Sequence, residues 1–294
     1  MLYGSPFLRC KSKMGTLDNI NWYPGHMKKT RELIQENIKL VDVVCELLDA
    51  RIPMSSRNPD IKKLSGGKPM ITILNKSDLA DDAVTKAWAK KLEEAGETVL
   101  ILNSNSGEGC KKLLALFEQL KEEKNKNSVR KKDLRLMIVG IPNVGKSSLI
   151  NRLSGSKAAK AGNKPGVTRG KQWIKLGEDI MLLDTPGILW PKFEDNQVGV
   201  NLAFCGSIRD EIMDLDSLGL ELIGKLCESY PQLMIERYKL DEIKESPLEN
   251  MEAIALKRGF ILAGKRIDYT RCARTVIDEF RAGTIGRISL EKPE

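Results

Sequence analysis

The residues best suited to chemistry are Gly140-Ile141-Pro142-Asn143-Val144-Gly145-Lys146-Ser147. They match G-x-x-x-x-G-K-[ST], a loop whose backbone N–H groups cradle phosphate oxygens at the start of a helix. In that chemistry Lys146 reaches the β- and γ-phosphates and the Ser147 hydroxyl ligates Mg²⁺, with Asn143, Val144, Gly145 and Ser148 beside them. A second stretch, Asn75-Lys76-Ser77-Asp78, suits a guanine base. The Asp78 carboxylate can accept from the ring N1–H and the exocyclic amine, a donor pair adenine lacks. Asn75 faces the N7/O6 side in this reading, and the Lys76 stem packs along the base. Asp184-Thr185-Pro186-Gly187 supplies a carboxylate for the Mg²⁺ shell and a glycine N–H that can sense a γ-phosphate. Thr168, in Pro165-Gly166-Val167-Thr168-Arg169-Gly170, is a candidate to close on the metal.

These stretches need strand ends to position them. Leu136–Val139, Met70–Leu74 and Ile180–Leu183 are apolar runs that read as buried parallel strands. Val41–Leu48 and Thr98–Leu102 read likewise, and helices are expected at 27–40, 80–95 and 111–121. Asn103 and Ser104, after the Thr98 strand, stand where backbone N–H groups would meet guanine O6. Together the stretches imply a mostly parallel α/β fold that binds and hydrolyses GTP. Their order is inverted, because the base stretch precedes the phosphate loop, so the domain is a circular permutation. Surface termini make that tolerable.

Beyond Pro191 the strand pattern stops. Helices are expected at about 196–205, 216–229, 231–238, 248–258 and 269–281, with core stripes Leu218/Leu222/Leu226 and Cys272/Val276/Phe280. The division is therefore an extension at 1–19, a permuted GTPase domain at 20–190 and a small all-α domain at 191–294. Lys257, Arg258, Lys265, Arg266, Arg271, Arg274, Arg281 and Arg287 give the last part a basic bias. A solvated surface or an RNA-facing one would both produce it; the net charge of +8 favours RNA. The polar stretch 121–132 reads as the connection closing the permutation, with phosphate contact as the alternative. Asp49-Ala50-Arg51-Ile52-Pro53 and the following Ser55–Pro59 read as a surface loop, solvated or binding.

Six scattered cysteines without a C-x-x-C suggest reduced core residues rather than zinc or disulfides. No apolar run approaches bilayer length, and the N-terminus lacks the pattern of a signal peptide, so a cytoplasmic, membrane-free protein is expected, with Met14 an alternative start. The single histidine, His26, either sits in a turn or does chemistry. The case for chemistry is Ile188, an apolar residue where small GTPases carry a water-orienting glutamine.

The chain resembles the ribosome biogenesis GTPase A family. The resemblance rests on Trp22-Tyr23-Pro24-Gly25-His26-Met27, Asp49-Ala50-Arg51-Ile52-Pro53, the permuted motifs, and Asp184–Phe193, and it covers the chain from Ile20 onward. It implies a permuted GTPase domain followed by a helical RNA-binding domain, acting late in assembly of the large (50S) ribosomal subunit. It implies weak hydrolysis stimulated by that particle, with His26 in place of the glutamine. It also implies a potassium ion held through Asn143. A monomer binding rRNA and the large subunit or its precursor is expected. A nucleotide-gated RNA-binding module with incidental hydrolysis is the alternative, and a GTPase of tRNA or membrane traffic fits the permutation less well.

Overall fold

The computed structural model describes residues 32, 34–155, 172–185, 187, 189 and 195–293. Its centre is a six-stranded sheet in the order β3-β2-β1-β4-β6-β5. The strands are β1 (Val43–Asp49), β2 (Met70–Asn75), β3 (Thr98–Ile101), β4 (Leu134–Gly140), β5 (Gln172–Lys175) and β6 (Ile180–Asp184). All neighbours pair in parallel except β5 with β6. Parallel strands covered on both faces read as continuous apolar runs, and β1 is buried along its whole length.

Register fixes where the motifs fall. Asp49 pairs with Asn75, Leu47 with Gly140, and Ile138 with Asp184. The carboxyl ends of β1, β2, β4 and β6 therefore share one edge. The strand order turns back on itself between β1 and β4, which is where an open α/β sheet forms a ligand crevice. Moving the chain break leaves that edge intact.

Helices α1 (Pro59–Leu64), α2 (Asp82–Glu94), α3 (Cys110–Asn125) and α4 (Lys146–Ser154) connect these strands. Asn58 caps α1 by accepting from the Asp60 N–H, with Pro59 at the first helical position, and Asp81 caps α2 through the Val84 N–H. Trp88 and Leu92 of α2 face inward as their spacing predicts. The expected polar connection at 121–132 is partly helix: α3 continues to Asn125, whose side chain then bonds both the carbonyl and the N–H of Lys132.

The later residues form α5 (Asn196–Phe204), α6 (Leu215–Ser229), α7 (Pro231–Tyr238), α8 (Pro247–Arg258) and α9 (Tyr269–Ala282). The expected stripes hold: Leu218, Leu222 and Leu226 on α6 and Cys272, Val276 and Phe280 on α9 are all buried. The crossing of α6 with α9 requires a small residue, since a Cβ on Gly219 would lie 2.4 Å from Ala273 Cβ. The part is helical as expected, with one small addition: a two-stranded hairpin, β7 (Ile261–Leu262) with β8 (Arg266–Ile267), joins α8 to α9. Left-handed backbone at Gly264 and Lys265 makes the turn, which an apolar periodicity does not reveal.

The largest apolar cluster is continuous from Ile138 and Leu149 under the sheet to Leu222 and Phe280 in the helices. The five described cysteines, Cys45, Cys110, Cys205, Cys227 and Cys272, are buried free thiols, as expected of small core residues. No described helix is long and apolar enough to cross a membrane.

Candidate nucleotide site

The phosphate loop leaves β4 at Gly140 and turns back into α4. Glycine is required at Gly145: its φ is 100°, and a Cβ would stand 2.4 Å from the Asn75 amide nitrogen. Gly145 offers no side-chain cap to α4, so the first-turn N–H groups are left for another acceptor. Asn143 takes a left-handed conformation at φ 59° and donates its amide to Gly206 O at 2.6 Å, tying the loop to the residues after α5.

Lys146 is buried and folded onto its own loop, where Nζ donates to Gly140 O at 3.0 Å and Ile141 O at 2.7 Å. Burial pulls its pKa down to about 7; the charge of Asp184 opposes the drop and that of Lys76 adds to it. Asp184 is also buried, and its Oδ1 has no hydrogen-bond partner. Burial raises the Asp184 carboxyl above its ordinary range, while Lys146 and the Thr185 N–H pull the other way. Gly187 lies directly against the loop: a Cβ there would come 2.8 Å from Pro142 Cα and 2.9 Å from Lys146 Nζ.

These residues fit Mg²⁺. Asp184 keeps an orphaned buried carboxylate oxygen, its charge acts on Lys146 of the loop, and Ser147 follows Lys146 in the first turn of α4. Among the described residues no group of three or more His, Cys, Asp or Glu could cage a metal. Thr168, His26 and Ile188 lie outside the described residues.

The base loop is built differently. Asn75, expected to face the base, is buried and already makes three hydrogen bonds within the protein, one of them from one of the two amide N–H donors. Nδ2 donates to Val144 O at 2.8 Å, and Oδ1 accepts the Ser104 N–H at 3.0 Å and the Ser104 hydroxyl. Asn75 thus braces the phosphate loop, the base loop and the 103–109 loop together. Asn103 holds that last loop in turn, with Oδ1 accepting from the N–H groups of Asn105 and Ser106. Ser77 N–H donates to Leu102 O, and Asp78 is exposed.

Lys76, at φ 59°, donates from Nζ to Asp49 Oδ2 at 3.0 Å. Asp49 is also held by Arg51, with Nε on Oδ1 at 2.9 Å and Nη2 on Oδ2 at 2.7 Å. Burial alone would raise the Asp49 carboxyl, but the two cations hold it below the carboxylate range. Arg51 and Asp49 are each only 1% exposed, which overturns the solvated-loop reading of Asp49–Pro53. The Arg51 guanidinium also lies 5.1 Å from the Phe280 ring centre on α9. Sequence reasoning missed this pair; the available signal was two opposite charges two residues apart at the end of an apolar strand.

The basic surface needs a similar correction. Arg281 is turned inward, gripping Asp210 with both terminal nitrogens at 2.8 and 2.9 Å and donating to Ala203 O and Phe204 O. Arg287 donates to Ser77 O and Ala80 O. Among the other candidates, Arg258 pairs with Glu279, Lys257 with Asp241, and Arg271 stacks on Phe260. Arg266 lies on β8, Lys265 in its turn, and Arg274 on α9.

Comparisons with known proteins agree with this geometry. Residues 135–229 match the family described as "50S ribosome-binding GTPase". The chain is 46% identical to the ribosome biogenesis GTPase A of Bacillus licheniformis, over 94% of this chain and 99% of that protein. It is 35% identical to the mitochondrial ribosome-associated GTPase 1 of Mus musculus, over 94% and 91%. The fold superimposes on the GDP-bound structure of TM YlqF with a TM-score of 0.68 at 29% identity, covering 89% of this chain and 99% of that one. The GNP-bound YlqF from T. maritima gives 0.62 at 28% identity, over 90% and 99%.

Proposed function

The chain belongs to the ribosome biogenesis GTPase A family, and from that premise we propose that it hydrolyses GTP at a late step of large (50S) subunit maturation, binding rRNA and leaving upon hydrolysis. The observation that carries this reading is the shared edge on which β1, β2, β4 and β6 deliver Asp49, Asn75, Gly140 and Asp184.

In this reading the site works as two halves. Asp78 accepts from the guanine edge while Lys76, fixed by Asp49, lies along the base and the loop that begins at Asn103 and Ser104, braced by Asn75, lies on the O6 side. Lys146 releases the carbonyls of Gly140 and Ile141 and turns to the β/γ-phosphates, where its positive charge offsets the charge that develops. Bound Mg²⁺, held by Ser147, Thr168 and Asp184, would supply Lewis-acid stabilisation of the phosphate oxygens. The Gly187 N–H meets the γ-phosphate, and His26 orients the attacking water that Ile188 cannot. Asn143 would hold a potassium ion, which would supply positive charge beside the phosphates.

The protein acts in this scheme as a cytoplasmic monomer made of a permuted GTPase domain up to residue 190 and a helical domain beyond it. Lys257, Arg258, Lys265, Arg266, Arg271 and Arg274 form its rRNA-facing surface. The test is GTP turnover in potassium buffer with and without purified large subunits. Strong stimulation, lost in His26→Ala while nucleotide binding persists, is the expected result. Unchanged slow turnover on adding the particle would reject the assembly role.

A further inference from the structure

After α9 the chain returns to the sheet and runs along the outside of the base loop. The left-handed Gly283 ends α9 so close to the loop that a Cβ would meet Leu79 Cδ2 at 2.6 Å. Ile288 N–H donates to Leu79 O at 2.9 Å, and Leu290 N–H to Arg51 O at 2.8 Å. The far end of this strap is anchored where the Glu291 carboxylate accepts the Met54 N–H at 2.7 Å and the Ser55 N–H at 2.9 Å. Arg287 is the strap's grip on the loop itself: Nη2 donates to Ser77 O at 2.8 Å and Nε to Ala80 O at 2.9 Å.

We propose that Arg287 is a positioning residue for base recognition. It pins the carbonyls on either side of Asp78 and so sets the direction of that carboxylate. The inference rests on the reading of Asp78 as the guanine contact. A guanidinium is a rigid planar fork, so two carbonyls bound to it are held at a fixed separation. Asp78 is exposed and must meet two donors on a base edge, a geometry that a few tenths of an ångström can spoil. Lys76 is already fixed from the buried side by Asp49; Arg287 fixes the solvent side. The strap makes the helical half part of the nucleotide site, and two of the five Arg287 donors are committed to it.

The experiment measures GDP and inosine diphosphate affinity for full-length Arg287→Ala, Arg287→Lys and Asp78→Asn, with melting temperatures alongside. Inosine lacks the exocyclic amine, so the ratio of the two affinities reports how well Asp78 is aimed. Arg287→Ala should weaken GDP roughly tenfold and inosine diphosphate less, shrinking the ratio at nearly unchanged melting temperature. Arg287→Lys, which can reach one carbonyl, should recover part of it. Equal weakening of both nucleotides, or none, would overturn the inference. Asp78→Asn should turn preference toward xanthosine diphosphate; if it does not, the base-loop reading itself fails, which is a different result from a working Asp78 switch beside a silent Arg287→Ala.

Discussion

The two halves of the nucleotide site are constructed on opposite principles. The phosphate half is full of groups awaiting a partner: an orphaned Asp184 oxygen, a helix start with no side-chain cap, and a Lys146 lent to two carbonyls of its own loop. The base half is braced before any ligand arrives, through Asn75, the Asp49–Arg51–Lys76 cluster and the C-terminal strap, although Arg51 Nη1 is buried there without a hydrogen-bond partner. The difference follows the ligand. Phosphates bring several charges, so unsatisfied groups of the protein gain much on binding. A neutral base offers a few hydrogen bonds, so its recognition depends on a loop already in place.

If that contrast is right, the halves fail differently. Removing Arg51 leaves Asp49 buried at 1% exposure, with the more exposed Lys76 as its remaining cation. Breaking a buried pair from one side costs about 3–5 kcal/mol, so Arg51→Ala should melt well below the parent and purify poorly. A melting temperature within a degree or two of the parent would refute the view that the base half carries the fold. Lys146→Met should do the reverse. Nucleotide affinity falls roughly a hundredfold as the phosphate-facing charge is lost, yet the free protein should melt no lower, since a buried cation with a pKa near 7 opposes folding at neutral pH. A large loss of stability in the free Lys146→Met protein would show that the phosphate half is structural as well.

Much of this was legible in the sequence, and the part that was not has a physical reason. Strand runs, the phosphate loop, Asn75–Asp78 and Asp184 are local signals: an apolar period followed by residues at fixed spacing. The helices after residue 195 were equally local, and the expected stripes on α6 and α9 are buried. What stayed hidden were pairings made over distance. Arg287 reads as one more basic surface residue, because its partner Ser77 is 210 positions away. Arg281 reads the same way, with Asp210 71 positions distant. Asn75 shows the same limit within a motif: residue type places it at the site, but only the fold reveals that Val144 and Ser104 take up its amide. A charge pattern records how many cations a face has, not which of them are already spent.

The smallest expected effect is a proton, and it distinguishes the halves without a mutation. In the free protein burial holds the Lys146 pKa near 7. Phosphate oxygens would raise it, so at pH 8, where the free lysine is mostly neutral, GDP binding should take up close to one proton. At pH 6 the lysine is already charged and uptake should vanish. By linkage the affinity falls as pH rises above about 7, at up to roughly tenfold per unit, until the raised pKa of the bound state is passed. The diphosphate itself gives the opposite sign, because binding to Mg²⁺ and N–H groups favours its ionised form and releases protons. Calorimetry of GDP binding at pH 8 in buffers of different ionisation enthalpy separates the two. Net uptake that disappears in Lys146→Met assigns the proton to the phosphate half; no uptake in the parent would mean that Lys146 is charged and waiting before the nucleotide arrives.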